Sequence, residues 1–456
     1  MNTLKQYTTF YFIGIGGIGM SALARYFHSI GKQVLGYDKT ETKLTKTLQS
    51  EGISIQFEDE ITPEITALKP ETTLVIYTPA IKTLGILDHF KNHHFEVLKR
   101  AQVLGLITAD TQCIAIAGTH GKTTTSSLVA HLCQEAGLPF SAFLGGISEN
   151  FGSNFFYNGN DYTVVEADEY DRSFLHLSPD WAIITSTDAD HLDIYGDKAT
   201  IEQGFKDFAH LVPHLPQLFV RKGINIGRNA TTYAVNEKAD YYADGLELRG
   251  DQMAFDFHTP EGEVASFSWD IPGIHNVENA TAALAVLHRM GVDLSVLKEA
   301  LSRFKGIKRR YTKHNFENGK IYIDDYAHHP TELNAVLGSI RTFYPEKKLL
   351  VLFQPHLFSR TKDFADDFAK SLAQGDALLL LDIYPARERQ EHFEGINSAW
   401  LLDKIELEDK AEVSLEETLE AVKTKDFDIL LTVGAGNIDT LYEPLVEYIS
   451  ALPKSQ

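Results

Sequence analysis

Ile114-Ala-Ile-Ala-Gly118-Thr119-His120-Gly121-Lys122-Thr123-Thr124-Thr125 is the stretch on which the chain turns. Its first four residues are an apolar run, the mark of a buried strand. Gly118 and Gly121 allow a tight turn and a close approach of backbone to ligand. Leu128, Val129, Leu132, Cys133 and Ala136 then share one helical face. Strand, glycine loop and helix in this order make a phosphate cradle. Free backbone N–H groups at the helix start point at the anion, Lys122 reaches for the outer phosphates, and the Thr123 hydroxyl can sit on Mg²⁺. The helix end alone contributes only ~0.3–1 kcal/mol, so a triphosphate needs the lysine and the metal as well. The loop is a variant. The common spacing G-x-x-x-x-G-K-[ST] asks for glycine where this chain has Ile116, and the first glycine here is Gly118. The plainer alternative is a Gly-Thr-rich turn before an ordinary helix, which leaves the coincidence of strand, loop, Lys-Thr and helix unexplained.

The 456 residues exceed one ordinary core and predict two or three domains. A composition of 43% hydrophobic and 23% charged residues is globular. The net charge of -21 argues against nucleic acid or an anionic membrane as a partner, and makes local Arg and Lys clusters informative. The two cysteines, Cys113 and Cys133, read as small buried apolar residues and not as a disulfide framework. No apolar run approaches the ~18 residues of a membrane span. The first residues do not read as a signal peptide, so the cytoplasm is the expected compartment.

Upstream, a strand over residues 8–15 runs into Gly14-Ile-Gly16-Gly17-Ile18-Gly19, which fits G-x-G-x-x-G. Met20, Leu23, Ala24, Phe27 and Ile30 trace a helix face, and a second strand over 33–37 ends at Asp38. An acidic residue about 20 positions past such a loop is the dinucleotide fingerprint. From these residues alone the unit reads as a Rossmann unit binding NAD, but the physics is broader: the loop asks for a diphosphate and Asp38 for ribose or another hydroxyl, and a nucleotide-sugar diphosphate meets both demands. A strand over 73–77 leads to Thr78-Pro79-Ala80, and the first domain is expected to end near Thr108.

A central domain over 109–306 follows. Strands over 162–165 and 181–185 end in Glu166-Ala-Asp168-Glu169-Tyr-Asp171 and Asp188-Ala-Asp190-His191-Leu-Asp193. Acids and histidine at strand carboxyl ends beside a phosphate loop suggest Mg²⁺ ligation and proton handling. Residues 253–271 alternate apolar and polar around Pro260-Glu-Gly262, a hairpin added to the sheet. A helix then opens near Asn276 and Asn279, which share a face; spacing alone favours capping over reading a purine edge. The third domain, 307–456, alternates strand and helix as an open parallel sheet, with strands over 321–323, 349–353, 377–381 and 429–433 and a helix marked by Phe364, Ala365, Phe368 and Leu372. Arg309-Arg310 at its entry is a phosphate clamp or a surface pair.

Together these pieces resemble the Mur ligase family, ATP-dependent amide-forming enzymes of peptidoglycan synthesis. The carriers are the loop Gly14 to Met20, Gly118 to Thr124, Glu166 to Glu169, Asp190-His191, His275-Asn276 with Asn279, Arg309-Arg310, Asp324-Asp325-Tyr-Ala-His328-His329-Pro330 and Phe353-Gln-Pro-His356, spread over essentially the whole chain. The resemblance implies an α/β protein of three domains: Rossmann-like at the N-terminus, a central P-loop ATPase-like domain with an added β-hairpin, and Rossmann-like again at the C-terminus. It is strongest toward the type that joins L-alanine to the carboxylate of UDP-N-acetylmuramate through an acyl phosphate. It implies that Gly14, Gly16, Gly17, Ile18, Gly19 and Asp38 hold the UDP-sugar. Gly118, Thr119, His120, Gly121, Lys122, Thr123 and Thr124 would hold ATP, with Asn276 and Asn279 on adenine. Thr123, Glu166 and His191 would hold Mg²⁺. Lys122, Glu166, His191, Arg310 and Asp325 would act in catalysis, and His329, His356 and Arg360 would line the amino-acid side.

Two departures stand out. Leu357 occupies a position that is usually arginine after Phe-Gln-Pro-His, and Arg360 is the neighbour able to compensate. The carbamylated lysine of several other members falls, by spacing, on Phe205, with Lys206 adjacent; the alanine-adding type lacks this lysine too. The rivals are a recycling ligase that adds a whole tripeptide to the same nucleotide, an ATP-gated binding protein without ligase chemistry, and an NAD-dependent oxidoreductase resting on the first loop alone.

Overall fold

The computed structural model describes residues 4–78, 81, 83–188, 197–249, 252–386 and 388–454. Among these residues the strands form three sheets. The chain divides into two compact units, one of Met1–Glu247, Ala254–Trp269 and Asn276–Lys305, the other of Leu248–Met253, Asp270–His275 and Gly306–Gln456.

The first sheet holds β1 (Thr9–Ile13), β2 (Gln33–Tyr37), β3 (Ser54–Gln56), β4 (Thr73–Tyr77) and β5 (Glu96–Lys99) in the order β3-β2-β1-β4-β5. All its pairings are parallel. Strand order reverses between β1 and β4, and the loop leaving β1 opens at that switch point, where open α/β sheets bind ligands. Helices α1 (Ile18–Ser29) and α2 (Arg100–Thr108) follow β1 and β5.

The second sheet contains β6 (Gln112–Ala117), β7 (Phe140–Ser148), β8 (Ser153–Tyr157), β9 (Tyr162–Ala167), β10 (Trp181–Ile184), β11 (Leu218–Arg221), β12 (Thr231–Val235), β13 (Tyr241–Arg249), β14 (Gln252–His258) and β15 (Val264–Trp269). Their order is β15-β14-β13-β12-β11-β10-β6-β9-β7-β8. The apolar run of β6 is completely buried, and the strand lies inside the sheet between β10 and β9, each parallel to it. Helix α3 (Lys122–Glu135) leaves the loop after β6, and α4 (Lys198–Leu211) and α5 (Ile274–Arg289) follow later. The expected hairpin is present as neighbouring β14 and β15, closed by a hydrogen bond from Thr259 N–H to the Glu263 carbonyl at 3.0 Å. Both cysteines are buried and free. The α1 face packs on this sheet as well: Tyr26 touches the rings of Phe143, Phe155 and Tyr157. Phe205, the position on which the expected lysine falls by spacing, is in the core against Phe174 and carries no polar chemistry.

The third sheet lies in the second unit. It holds β16 (Thr312–Asn315), β17 (Ile321–Asp325), β18 (Leu349–Phe353), β19 (Ala377–Leu380), β20 (Lys410–Glu412) and β21 (Ile429–Val433) in the order β16-β17-β21-β18-β19-β20. It is parallel except at one edge, where β16 pairs antiparallel with β17. Thr-Lys-His-Asn lacks the apolar alternation of a strand, because an edge strand needs little burial. Helices α6 (Pro330–Phe343), α7 (Phe358–Asp363) and α8 (Ala365–Leu372) follow; the helix expected from Phe364 to Leu372 is α8 with Phe364 at its N-cap, and α7 is a further short helix just before it. Among the described residues no helix is long and apolar enough to cross a membrane.

Candidate active site

Parallel pairing decides what surrounds the glycine loop. Ile116 and Ala117 lie opposite Glu166 and Ala167 on one side, and Ala117 lies opposite Ile184 on the other. The residues just beyond those strand ends therefore converge on Gly118 to Lys122. Gly118 has φ +139° and Gly121 +82°, both in the region that favours glycine. A β-carbon on Gly118 would overlap the Thr185 hydroxyl, and one on Gly121 would come within 2.6 Å of Asn279 Oδ1. Thr185 and Ser186 brace the loop. The Ser186 hydroxyl accepts from His120 N–H at 2.7 Å and lies 2.8 Å from Thr119 Oγ1, and the Thr185 hydroxyl donates to the His120 carbonyl. Nothing in their residue type marked them out; only the position after β10 does.

Lys122 Nζ donates to the Gly118 carbonyl at 2.5 Å and pairs with the buried Glu169 carboxylate at 2.8 Å. Burial works against the lysine's charge, but the carboxylates of Glu169, Glu166 and Asp168 outweigh it and hold the pKa above that of an ordinary lysine. Glu169 thus has a defined electrostatic task that the motif alone did not disclose. Thr123 Oγ1 donates to Glu166 Oε1 at 3.1 Å, and Glu166 Oε2 accepts from Gly145 N–H at 3.0 Å. A hydroxyl beside a fixed carboxylate is the hard-oxygen donor set Mg²⁺ takes, and it stands at the mouth of a loop shaped for phosphates. His191, expected with them, and its neighbour Asp190 lie outside the described residues. Among the described residues no cluster of three or more His, Cys, Asp or Glu is arranged to hold a metal.

Asn279 does not cap α5, which begins five residues earlier at Ile274; its side chain lies against the loop at Gly121. The capping expectation is corrected accordingly, since a residue in the second turn has helical N–H groups already bonded. Asn276, on the same face, is also buried.

At the first loop, Gly14 has φ +83° and Gly17 is the N-cap of α1. Asp38 accepts from Gly16 N–H at 2.7 Å and Thr40 N–H at 3.1 Å, so it fixes the loop as well as presenting a carboxylate. A β-carbon on Gly16 would come within 2.8 Å of Asp38 Oδ2. Ile18 opens α1 and is partly exposed, and Gly19 lies against Arg100, whose Nη1 would be 2.7 Å from a β-carbon there.

In the second unit, the carboxyl ends of β17 and β18 gather a cationic and histidine-rich group. Arg309 pairs with Asp324 at 3.4 Å and donates to the Gly434 carbonyl at 2.6 Å, a structural task that separates it from Arg310. Arg310 lies 4.0 Å from Glu332 and its guanidinium is 5.2 Å from the Tyr326 ring centre. Asp325 accepts from Tyr311 N–H at 2.7 Å and Ala327 N–H at 2.8 Å. Burial pushes its carboxyl up to about 6, against the pull of Arg310 and those two N–H groups. His329 caps α6, its Nδ1 accepting from Thr331 N–H at 3.3 Å. His356 stacks on Tyr384 and meets His328 edge-on at 5.8 Å. His328, quoted in the motif but given no role, is held down by burial; Glu332 pulls it up, while Arg360 and Arg310 add to the lowering. Leu357 is buried at φ +71°, a conformation rare for a side chain with a Cβ, at the start of α7.

Three family models cover the chain in succession: the Mur ligase family catalytic domain over residues 9–112, the Mur ligase middle domain over 116–287, and the Mur ligase glutamate ligase domain over 309–436. Curated relatives named UDP-N-acetylmuramate–L-alanine ligase include one from Christiangramia forsetii, 48% identical with 96% of this chain and 97% of the relative covered. Another, from Flavobacterium psychrophilum, is 50% identical with 95% and 96% covered. Among solved structures, a UDP-N-acetylmuramate-alanine ligase from Thermotoga maritima matches with TM-score 0.82 and 27% identity over 97% of this chain and 99% of that one. A murein peptide ligase from Psychrobacter arcticus shares the fold at TM-score 0.70 and 21% identity over 98% and 99%. With all three models met in order and near-half identity along its length, the chain belongs to the Mur ligase family.

Proposed function

We infer that this enzyme joins L-alanine to the carboxylate of UDP-N-acetylmuramate at the expense of ATP, in peptidoglycan precursor synthesis. The observation that carries this reading is the 48–50% identity, over at least 95% of the chain, to relatives that bear that activity in their names. The cytoplasm, where ATP and nucleotide-sugars are made, is the compartment the reaction requires. Residues 1–108 are assigned to the UDP-sugar, 109–306 to ATP and 307–456 to the ligation step.

The muramate carboxylate attacks the γ-phosphate of ATP, giving an acyl phosphate and ADP. The alanine amine then attacks the carbonyl and phosphate leaves. Phosphoryl transfer asks the protein chiefly to position groups and neutralise charge. Lys122 suits that task because its carboxylate neighbours keep it protonated in a buried place. Thr123, Glu166 and His191 are the residues proposed to hold Mg²⁺, which would supply further neutralisation of the phosphate charge. Arg310 and Asp325 are proposed to act on the same step, and His329, His356 and Arg360 on the amino acid. Amine attack needs a neutral nucleophile, for which His191 or His329 is the candidate base.

The test is ADP release by the purified protein with Mg²⁺-ATP and UDP-N-acetylmuramate, in parallel with L-alanine, other amino acids and the stem tripeptide, followed by product mass. Release with L-alanine and a product heavier by one alanyl residue is expected. Release with the tripeptide alone would move the protein to recycling, and ATP binding with no acceptor-dependent release would make it a binding protein.

A further inference from the structure

Arg100 opens α2, and its side chain fills the space beside Gly19, in the first turn of α1: a β-carbon on Gly19 would come within 2.7 Å of Nη1 and 3.2 Å of Cζ. That is the positive end of a helix dipole and the wrong end for a cation with only a structural task. An arginine kept there has to be balanced by an anion. In the structure the anion is Asp168, whose Oδ2 lies 3.7 Å from Arg100 Nη2. Asp168 belongs to the segment that runs from Glu166, beside Thr123, to Glu169, on Lys122. Arg100 is mostly covered, at 23% side-chain exposure, while Asp168 is open at 41%. The guanidinium is therefore the fixed member of the pair and the carboxylate the one that can leave.

We propose that Arg100 is a binding and positioning residue for the diphosphate of the sugar nucleotide, and that the diphosphate displaces Asp168 from it. This rests on the reading of the Gly14–Gly19 loop as the diphosphate site. Loading of the first loop then changes the charge balance of the acidic segment at the second: Asp168 already acts on Lys122, and once Arg100 no longer neutralises it, its charge weighs more heavily there. One ion pair couples the two nucleotide loops of this unit.

The test is isothermal titration of the full-length protein with UDP-N-acetylmuramate and, separately, with a non-hydrolysable ATP analogue, for wild type, Arg100→Gln, Arg100→Lys, Asp168→Asn and the double variant Arg100→Gln/Asp168→Asn. Losing a charge-assisted contact of about 1.5–3 kcal/mol predicts about 10- to 100-fold weaker sugar-nucleotide binding for Arg100→Gln. Arg100→Lys recovers part of that loss, and Asp168→Asn, by removing the competitor, tightens binding about 2- to 5-fold. In the Arg100→Gln background the Asp168 change has no further effect. The salt dependence of binding is shallower in Arg100→Gln than in wild type. The ATP analogue still binds Arg100→Gln, which reports an intact fold. Sugar-nucleotide affinity unchanged in Arg100→Gln, additive effects of the two substitutions, or parallel loss of both ligands would each overturn the proposal. Gly16→Val separates it from the reading beneath it: if that variant binds the sugar nucleotide as wild type does, the first loop is not the diphosphate site; if it fails to bind while Arg100→Gln binds normally, only the role of Arg100 falls.

Discussion

Lys122 is a buried cation that stays charged because three acidic side chains surround it, Glu169 closest. Its charge is thus in place before any phosphate arrives, which is the preorganisation that stabilises a transition state without rearrangement. Lys122→Ala is expected to cost roughly 2.7–4 kcal/mol of transition-state stabilisation, or about 10²–10³ in kcat; steady-state ADP release measures it, and near-normal turnover would remove the lysine from the mechanism. Asp325 is the opposite case, a carboxylate that burial disfavours in its charged form. Its folded pKa of about 6 lies above the 3.8 of an ordinary aspartate, so the native state holds its proton more tightly. The stabilising contribution is present in full below the ordinary value and is lost as pH rises through about 6. Relative to Asp325→Asn, wild type should therefore lose on the order of 2–3 kcal/mol between pH 4 and pH 7. Denaturant titrations of both proteins across that range test it, and a pH-independent difference would show that Asp325 ionises normally. At neutral pH the carboxylate is largely charged beside Arg310, so activity should fall on the acid side as that charge is lost.

At the scale of elements, the site is a consequence of strand neighbours. β6 brings the glycine loop, β9 brings Glu166 and the acids after it, and β10 brings Thr185 and Ser186. Gly118→Ala places a methyl group on the Thr185 hydroxyl at a backbone angle alanine resists. The expected outcome is loss of ATP binding by titration calorimetry, with far-UV circular dichroism preserved; wild-type affinity would show that the loop tolerates a different path. Much of this frame was legible in the sequence. The apolar runs of β2, β4, β18 and β21 are read at the bounds the structure has, since fully buried parallel strands carry the plainest signal. Ends were harder. β9 runs on through Glu166 and β17 through Asp325, because backbone pairing continues where the apolar pattern stops. Residues whose meaning is purely tertiary left no local trace. Thr185 and Ser186 became visible only once β10 was seen beside β6, Arg100 only once α2 was seen over Gly19, and the Glu169–Lys122 pair only once β9 was seen beside β6. Spacing misread Asn279 as a helix cap for the same reason: its partner is a loop far away in the chain.

For the whole molecule, a net charge of -21 must admit anionic substrates. At 0.01 M salt the Debye length is about 30 Å and the repulsive field of the protein reaches the approaching nucleotide; at 0.1 M it is about 10 Å and only the local cations count. The association rate of Mg²⁺-ATP should therefore rise a few-fold between those salt concentrations, the reverse of a basic nucleotide-binding protein. Stopped-flow binding with a fluorescent analogue tests this, and a rate that falls with salt would mean that a local positive funnel dominates. The third sheet carries a different consequence. β21 lies between β17 and β18, although it is the last of the three in the chain. During synthesis, at about 5–20 residues per second, Ile321–Asp325 and Leu349–Phe353 leave the ribosome seconds before the strand that joins them. In that interval two apolar strands wait with an open edge each, so the nascent chain is a natural client for a chaperone that shields strand edges, and a message truncated before Ile429 yields a product that stays one.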